Sequence, residues 1–149
     1  MKNIKGFTLI ELIVILGLAT IVMLAVMSFF IANYRSYNRL NTESELQYQS
    51  QYVINFMTDK ILETEEFKGK DADDKYSFIN DDGTKLTFKI ENGKLIFKDG
   101  DEPEVIVGNS ITGFDIISLN QKEVSITLKL EKDKIVVEAE QTVYMRNAQ

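Results

Sequence analysis

The sequence predicts an α+β protein, one long N-terminal helix set against an antiparallel β-sheet head. Three observations predict it. Residues 12–32 carry no charge, and the run is apolar almost throughout. Residues 33–66 contain neither Pro nor Gly and keep a helical spacing of apolar side chains. From Tyr76 onward the period changes to strand alternation, interrupted by Asn80-Asp81-Asp82-Gly83, Asn92-Gly93 and Asp99-Gly100, residues that favour turns.

The first element begins with Lys2, Lys5 and Gly6 and is apolar from Phe7 to Ala32, with a single charge, Glu11. Its length suits a membrane span, which takes about 20 apolar residues for a hydrocarbon core about 30 Å thick. It is long for a secretory signal core, and no A-x-A cleavage pattern follows it. Phe29, Phe30 and Tyr34 stand where an interfacial aromatic belt is expected. Lys2 and Lys5 on one side nearly balance Arg35 and Arg39 on the other, and the initiator amine tips the count toward a cytoplasmic N-terminus. Glu11 is costly, about 2.5–3.5 kcal/mol at mid-depth and less near an end. Two readings stay open. It is a helix-end carboxylate that snorkels and favours the positive N-terminal dipole, or a charge held for a partner.

Lys5-Gly6-Phe7-Thr8-Leu9-Ile10-Glu11, followed by a long apolar run, closely resembles the N-terminus of type IV prepilins and related pseudopilins. The resemblance implies a leader of residues 1–6 removed by prepilin peptidase between Gly6 and Phe7. It implies N-methylation of the new N-terminal Phe7. It gives Glu11 a role in subunit pairing, with the N-terminal amine of a neighbouring subunit. Many pilins place a Pro in this helix, whereas the only Pro here is Pro103 and Gly17 is the one weak helix former in the stretch.

In the second half of the helix, Leu46, Val53, Ile54, Met57 and Ile61 form one apolar stripe among polar neighbours, the face expected to cover the sheet. An unbroken helix from about Phe7 to Glu66 would reach roughly 90 Å at 1.5 Å per residue. Lys68–Lys75 reads as a polar break. Beyond it, Tyr76–Ile79 is a short strand. Leu86, Phe88 and Ile90 alternate with Lys85, Thr87 and Lys89, and Leu95 and Phe97 continue on the return strand. Val105–Val107 and Phe114–Leu119 are further strands. Val124, Ile126, Leu128 and Leu130 alternate cleanly, Lys132-Asp133-Lys134 turns the chain, and Ile135, Val137, Ala139, Gln141, Val143 and Met145 form the inner register of the last strand. Hairpin connections make the sheet antiparallel with one face buried. The expected organisation is therefore residues 1–6 as leader, 7–32 as transmembrane and assembly helix, 33–66 as its amphipathic continuation, and 67–149 as the head.

Ser36-Tyr37-Asn38-Arg39, Glu43 and Glu45-Leu46-Gln47, with the ending Val143-Tyr144-Met145-Arg146-Asn147, resemble the PilW-like minor pilins and the J-type minor pseudopilins. That implies a subunit of a type IV pilus that primes or tips the filament. Its partners would be the peptidase, the major pilin and other minor pilins, the assembly platform, and membrane lipid before assembly. Pseudopilins of type II secretion or competence DNA uptake share the signature. A single-pass anchored binding domain that never polymerises is the rival from another class.

The chain has no Cys and no His, so a disulfide, a thiolate nucleophile and the commonest general base and metal ligand are absent. Its formal charge is -6, and no run of Lys or Arg suits a phosphate backbone, so no nucleic acid is expected. The acidic clusters Asp71/Asp73/Asp74, Asp81/Asp82 and Asp99/Asp101/Glu102 fall at turns, where Asp makes local hydrogen bonds, and none fits the calcium-loop spacing. No nucleotide-binding or nucleophile-elbow motif occurs. A non-catalytic protein without cofactor is the expectation.

Overall fold

The computed structural model describes residue 6 and residues 8–146. The chain divides into two compact units, Met1–Leu40 and Asn41–Gln149. One helix, α1 (Leu9–Leu62), supplies residues to both.

In the first unit the described residues are helical from Leu9 on, and all of them are exposed. A window of this helix reaches a mean hydropathy of 2.8 with none of it buried. That surface suits a membrane by length and composition.

The second unit contains the end of α1 and eight strands: β1 (Thr64–Lys70), β2 (Tyr76–Asn80), β3 (Lys85–Glu91), β4 (Lys94–Asp99), β5 (Val105–Gly108), β6 (Ile111–Ser118), β7 (Glu123–Lys132) and β8 (Ile135–Tyr144). All adjacent pairs are antiparallel. They form two sheets, β1-β2-β3-β4-β5 and β6-β7-β8, where alternation alone suggested one. The division falls at Asn109-Ser110, where Ser110 takes a φ of 59° and its carbonyl accepts from Glu131 N–H. Tyr76 on β2 ties the sheets together. Its hydroxyl donates to Asp115 Oδ1 of β6 at 2.6 Å, and its ring meets Phe114 edge-on.

The predicted helix stripe is buried at Leu46, Val53, Ile54, Met57 and Ile61, with Ser50 added. It shares one core with Phe78, Phe88, Leu95, Ile126, Leu128 and Leu130. Gly108 marks the tightest approach of helix to sheet, since a Cβ there would lie 2.5 Å from Val53 Cγ2. Phe56 on the half-buried flank packs edge-on against Phe97 at 5.2 Å.

The helix ends at Leu62, not at Glu66, and the expected head boundary at residue 67 moves with it. Thr64 Oγ1 donates to Ile61 C=O at 2.7 Å, and Arg146 N–H donates to Leu62 C=O at 2.9 Å, so carbonyls left over at the helix end find partners. Residues expected to finish the helix and begin a polar break instead form β1, whose Phe67 stacks at 4.7 Å on Phe78. Pairing with β2 outweighs a weak helical preference.

The turns follow their residue types. Asn92 and Gly93 both take positive φ, the two-residue hairpin geometry that Asn-Gly favours. Asp133 and Lys134 do the same between Lys132 and Ile135, which pair directly. On β8 the inner register holds at Val143, and Ile135, Val137 and Ala139 are half-buried, but Gln141 is exposed.

Candidate functional site

Helix α1 starts in a capping arrangement. Glu11 N–H donates to Thr8 Oγ1 at 3.3 Å, and Leu12 N–H donates to Thr8 C=O at 3.1 Å. Thr8 is therefore the N-cap, and Glu11 is the third helical residue. Thr8-x-x-Glu11 is the spacing of a capping box, a signal present in the sequence itself. The Glu11 carboxylate lies in the first turn, where the positive end of the helix favours an anion.

Gly6 is exposed and lies outside the helix, and a Cβ built on it would meet nothing within 4 Å. Phe7 lies outside the described residues, as do Lys2, Lys5 and Asn147.

The other polar side chains of the apolar stretch are satisfied by the helix itself. Thr20 Oγ1 donates to Leu16 C=O at 2.8 Å, Ser28 Oγ to Leu24 C=O at 2.9 Å, and Asn33 Nδ2 to Phe29 C=O at 2.8 Å. Each bond runs four residues back and removes the cost of placing the group in an apolar medium. The Glu11 side chain has no hydrogen-bond or ion-pair partner among the described residues. Among the described residues it is the one polar side chain of the stretch without such a bond.

In the second unit the acidic clusters work at turns. Asp71 Oδ1 accepts from Asp73 N–H at 3.0 Å and from Lys75 N–H at 2.9 Å. Asp82 Oδ1 accepts from Thr84 N–H at 2.8 Å. The Lys75 N–H holds the Asp71 carboxyl below its ordinary range, and the Thr84 N–H does the same for Asp82. Among the described residues no group of three or more acidic side chains could hold a metal.

Residues 1–27 match the family model for the prokaryotic N-terminal methylation motif. Neither the curated proteins nor the solved structures compared with the chain give a match. An apolar N-terminal helix with an antiparallel head is a pilin-like arrangement. The methylation motif supports a type IV pilin-like protein and implies processing by prepilin peptidase and assembly into pilus-like filaments. Together with the exposed apolar helix it supports membrane anchoring. Pilin-like proteins with this motif are structural, not enzymatic.

Proposed function

We propose that the chain is a minor pilin of a type IV pilus. It waits in the cytoplasmic membrane with its N-terminus on the cytoplasmic side. Prepilin peptidase cuts between Gly6 and Phe7, and Phe7 is N-methylated. The assembly platform then transfers the helix from lipid into a bundle with the major pilin and other minor pilins. The head is non-catalytic and stands on the cell surface, where the subunit primes or tips the filament. Residues 1–6 serve as leader, 7–32 as anchor and assembly helix, and the following helical residues as support for the head.

The observation that carries the reading is Glu11, placed four residues after the new amine while every other polar side chain of the stretch bonds its own helix. An amine of a neighbouring subunit satisfies it. In a low-dielectric bundle such a pair sets register more than it adds net stability.

N-terminal mass analysis of the mature protein tests the assignment, with a first residue of methylated Phe7 expected. Retention of Lys2 and Lys5 would point to an anchored domain that does not polymerise. Glu11→Gln should be processed normally yet enter filaments at least about tenfold less, the loss of a desolvated charge partner costing upwards of 1.4 kcal/mol. Normal incorporation of that variant removes the pairing role.

A further inference from the structure

The outer faces of the two sheets differ in sign. On β3, Leu86 and Phe88 point into the core, so Lys85, Thr87, Lys89 and Glu91 face out. The register sets Thr87 beside Lys98, Lys89 beside Ile96, and Glu91 beside Lys94. Ile96 in turn lies beside Ile106 of edge strand β5, which is 56% exposed. Four lysines from two adjacent strands thus surround an apolar pair, with Glu91 and Glu104 both paired to Lys89 among them. Neither Lys94 nor Lys98 has a carboxylate within ion-pair distance among the described residues.

The three-stranded sheet is the reverse. Val124, Ile126, Leu128 and Leu130 face the core, so Thr127, Lys129 and Glu131 face out. Their partners are Glu140, Glu138 and Val136 on β8, and Asp115 on β6. Four carboxylates, from Asp115, Glu131, Glu138 and Glu140, share that face with Lys129, which pairs with Glu138. Val136 and Tyr144 there are 44% and 55% exposed. Each face therefore joins exposed apolar side chains to an excess of one charge, lysine on the first and carboxylate on the second. Both β5 and β8 are sheet edges with unpaired backbone groups.

We propose that the lysine face of β3–β5 docks the acidic face of β7–β8 in a second copy of this chain. The two faces are complementary in charge and each has an apolar centre, the pairing that steers association and fixes orientation. Because the faces differ, the contact is heterologous. Each docked copy leaves one face of each kind free, so copies add in series instead of closing as a two-fold dimer. The inference rests on the filament reading for its setting, and adds a contact between heads wherever two copies of this chain meet.

The absence of Cys permits a clean test with full-length chain in non-ionic detergent. Lys98→Cys and Glu138→Cys copies are mixed and oxidised. The mixed disulfide should exceed either like–like disulfide severalfold and weaken as salt rises from ~0.05 to ~0.5 M. Adding Lys94→Glu to the first copy should cut the yield about fivefold. Combining it with Glu140→Lys in the second should restore it. Equal yields for all three pairings, or indifference to the reversals with folding intact by circular dichroism, overturns the proposal. Glu11→Gln should leave the crosslink unchanged, so failure of the pairing role at Glu11 and failure of this surface are read separately.

Discussion

Residues 9–40 and residues 41–62 belong to one helix, yet they face their surroundings in opposite ways. In the first stretch every residue is exposed, including Leu, Ile, Val, Met and Phe side chains all around the helix. In the second, six residues on one stripe are buried and the remaining faces are mostly polar, with Tyr48 and Tyr52 exposed. A helix apolar all round needs an outside apolar medium, and a striped one needs a single covering surface. The chain supplies that surface for the second stretch in its own sheets. Among the described residues nothing covers the first, which fits a segment that exchanges lipid for neighbouring helices.

Truncation should expose that contrast most strongly. Met57→Ala, in the buried stripe, should lower head stability by about 2–5 kcal/mol in denaturant unfolding followed by near-ultraviolet circular dichroism. Leu18→Ala should leave the same transition unchanged. A loss of similar size from Leu18→Ala would show that the apolar stretch helps hold the head, and the division would fail. Next in size is Gly108→Ala. Its Cβ would sit 2.5 Å from Val53 Cγ2, and a β-branched side chain has little rotamer freedom to yield. The expected cost is about 1–3 kcal/mol, and Val53→Ala in the same chain should recover part of it. Strict additivity of the two changes would mean the helix does not press on β5.

Lys134→Gly sharpens the comparison from the other side, because it should stabilise the head without touching the helix. Lys134 holds a φ of 66°, a region that costs a side chain roughly 1 kcal/mol and glycine little. Part of the gain is offset by glycine's greater freedom in the unfolded chain, so a rise of only a few tenths of a kcal/mol in unfolding free energy is expected. A fall would mean the lysine side chain contributes more than its backbone strain costs.

The smallest effect is with pH. Asp71 and Asp82 are held below their ordinary value of 3.8 by turn N–H groups. Carboxyls depressed in the fold contribute stability above 3.8 that is lost as pH falls through their folded values. Both are exposed, so the unfolding midpoint should drift only slightly downward below about pH 4. Asp71→Asn together with Asp82→Asn should flatten that drift. An unchanged drift in the double variant would assign it to other carboxylates.

The basic face of the five-stranded sheet shows why charge was harder to read than hydrophobicity. Scanning along the chain finds no run of lysines, and the net charge of -6 points away from any basic surface. Lys85 and Lys89 stand on one strand, Lys94 and Lys98 on the next. Only the hairpin register brings them onto one face. Alternation at 85–90 and an Asn-Gly turn were enough in principle to place them, because a two-residue turn sets the register.

The start of the chain lies at the other extreme. Its basic leader, Gly6, Glu11 and apolar run are local features, and local features are visible in a single sequence. The same holds for the stripe at 46–61, which needs only the helical period, and for β3, β4 and β7, which need only the period of two, whereas β6 starts at Ile111 and not at the expected Phe114. The end of α1 at Leu62, the strand at Thr64–Lys70, the division into two sheets, the burial of Ser50 and the approach of Gly108 to Val53 were decided by tertiary structure. Each depends on groups distant in the chain: Arg146 on Leu62, Phe78 on Phe67, Glu131 on Ser110. The helix end and the sheet division depend on partners too far along the chain for a local window to hold both. Local periodicity chose the elements, and contacts closed across long loops chose where they stop and what they press against.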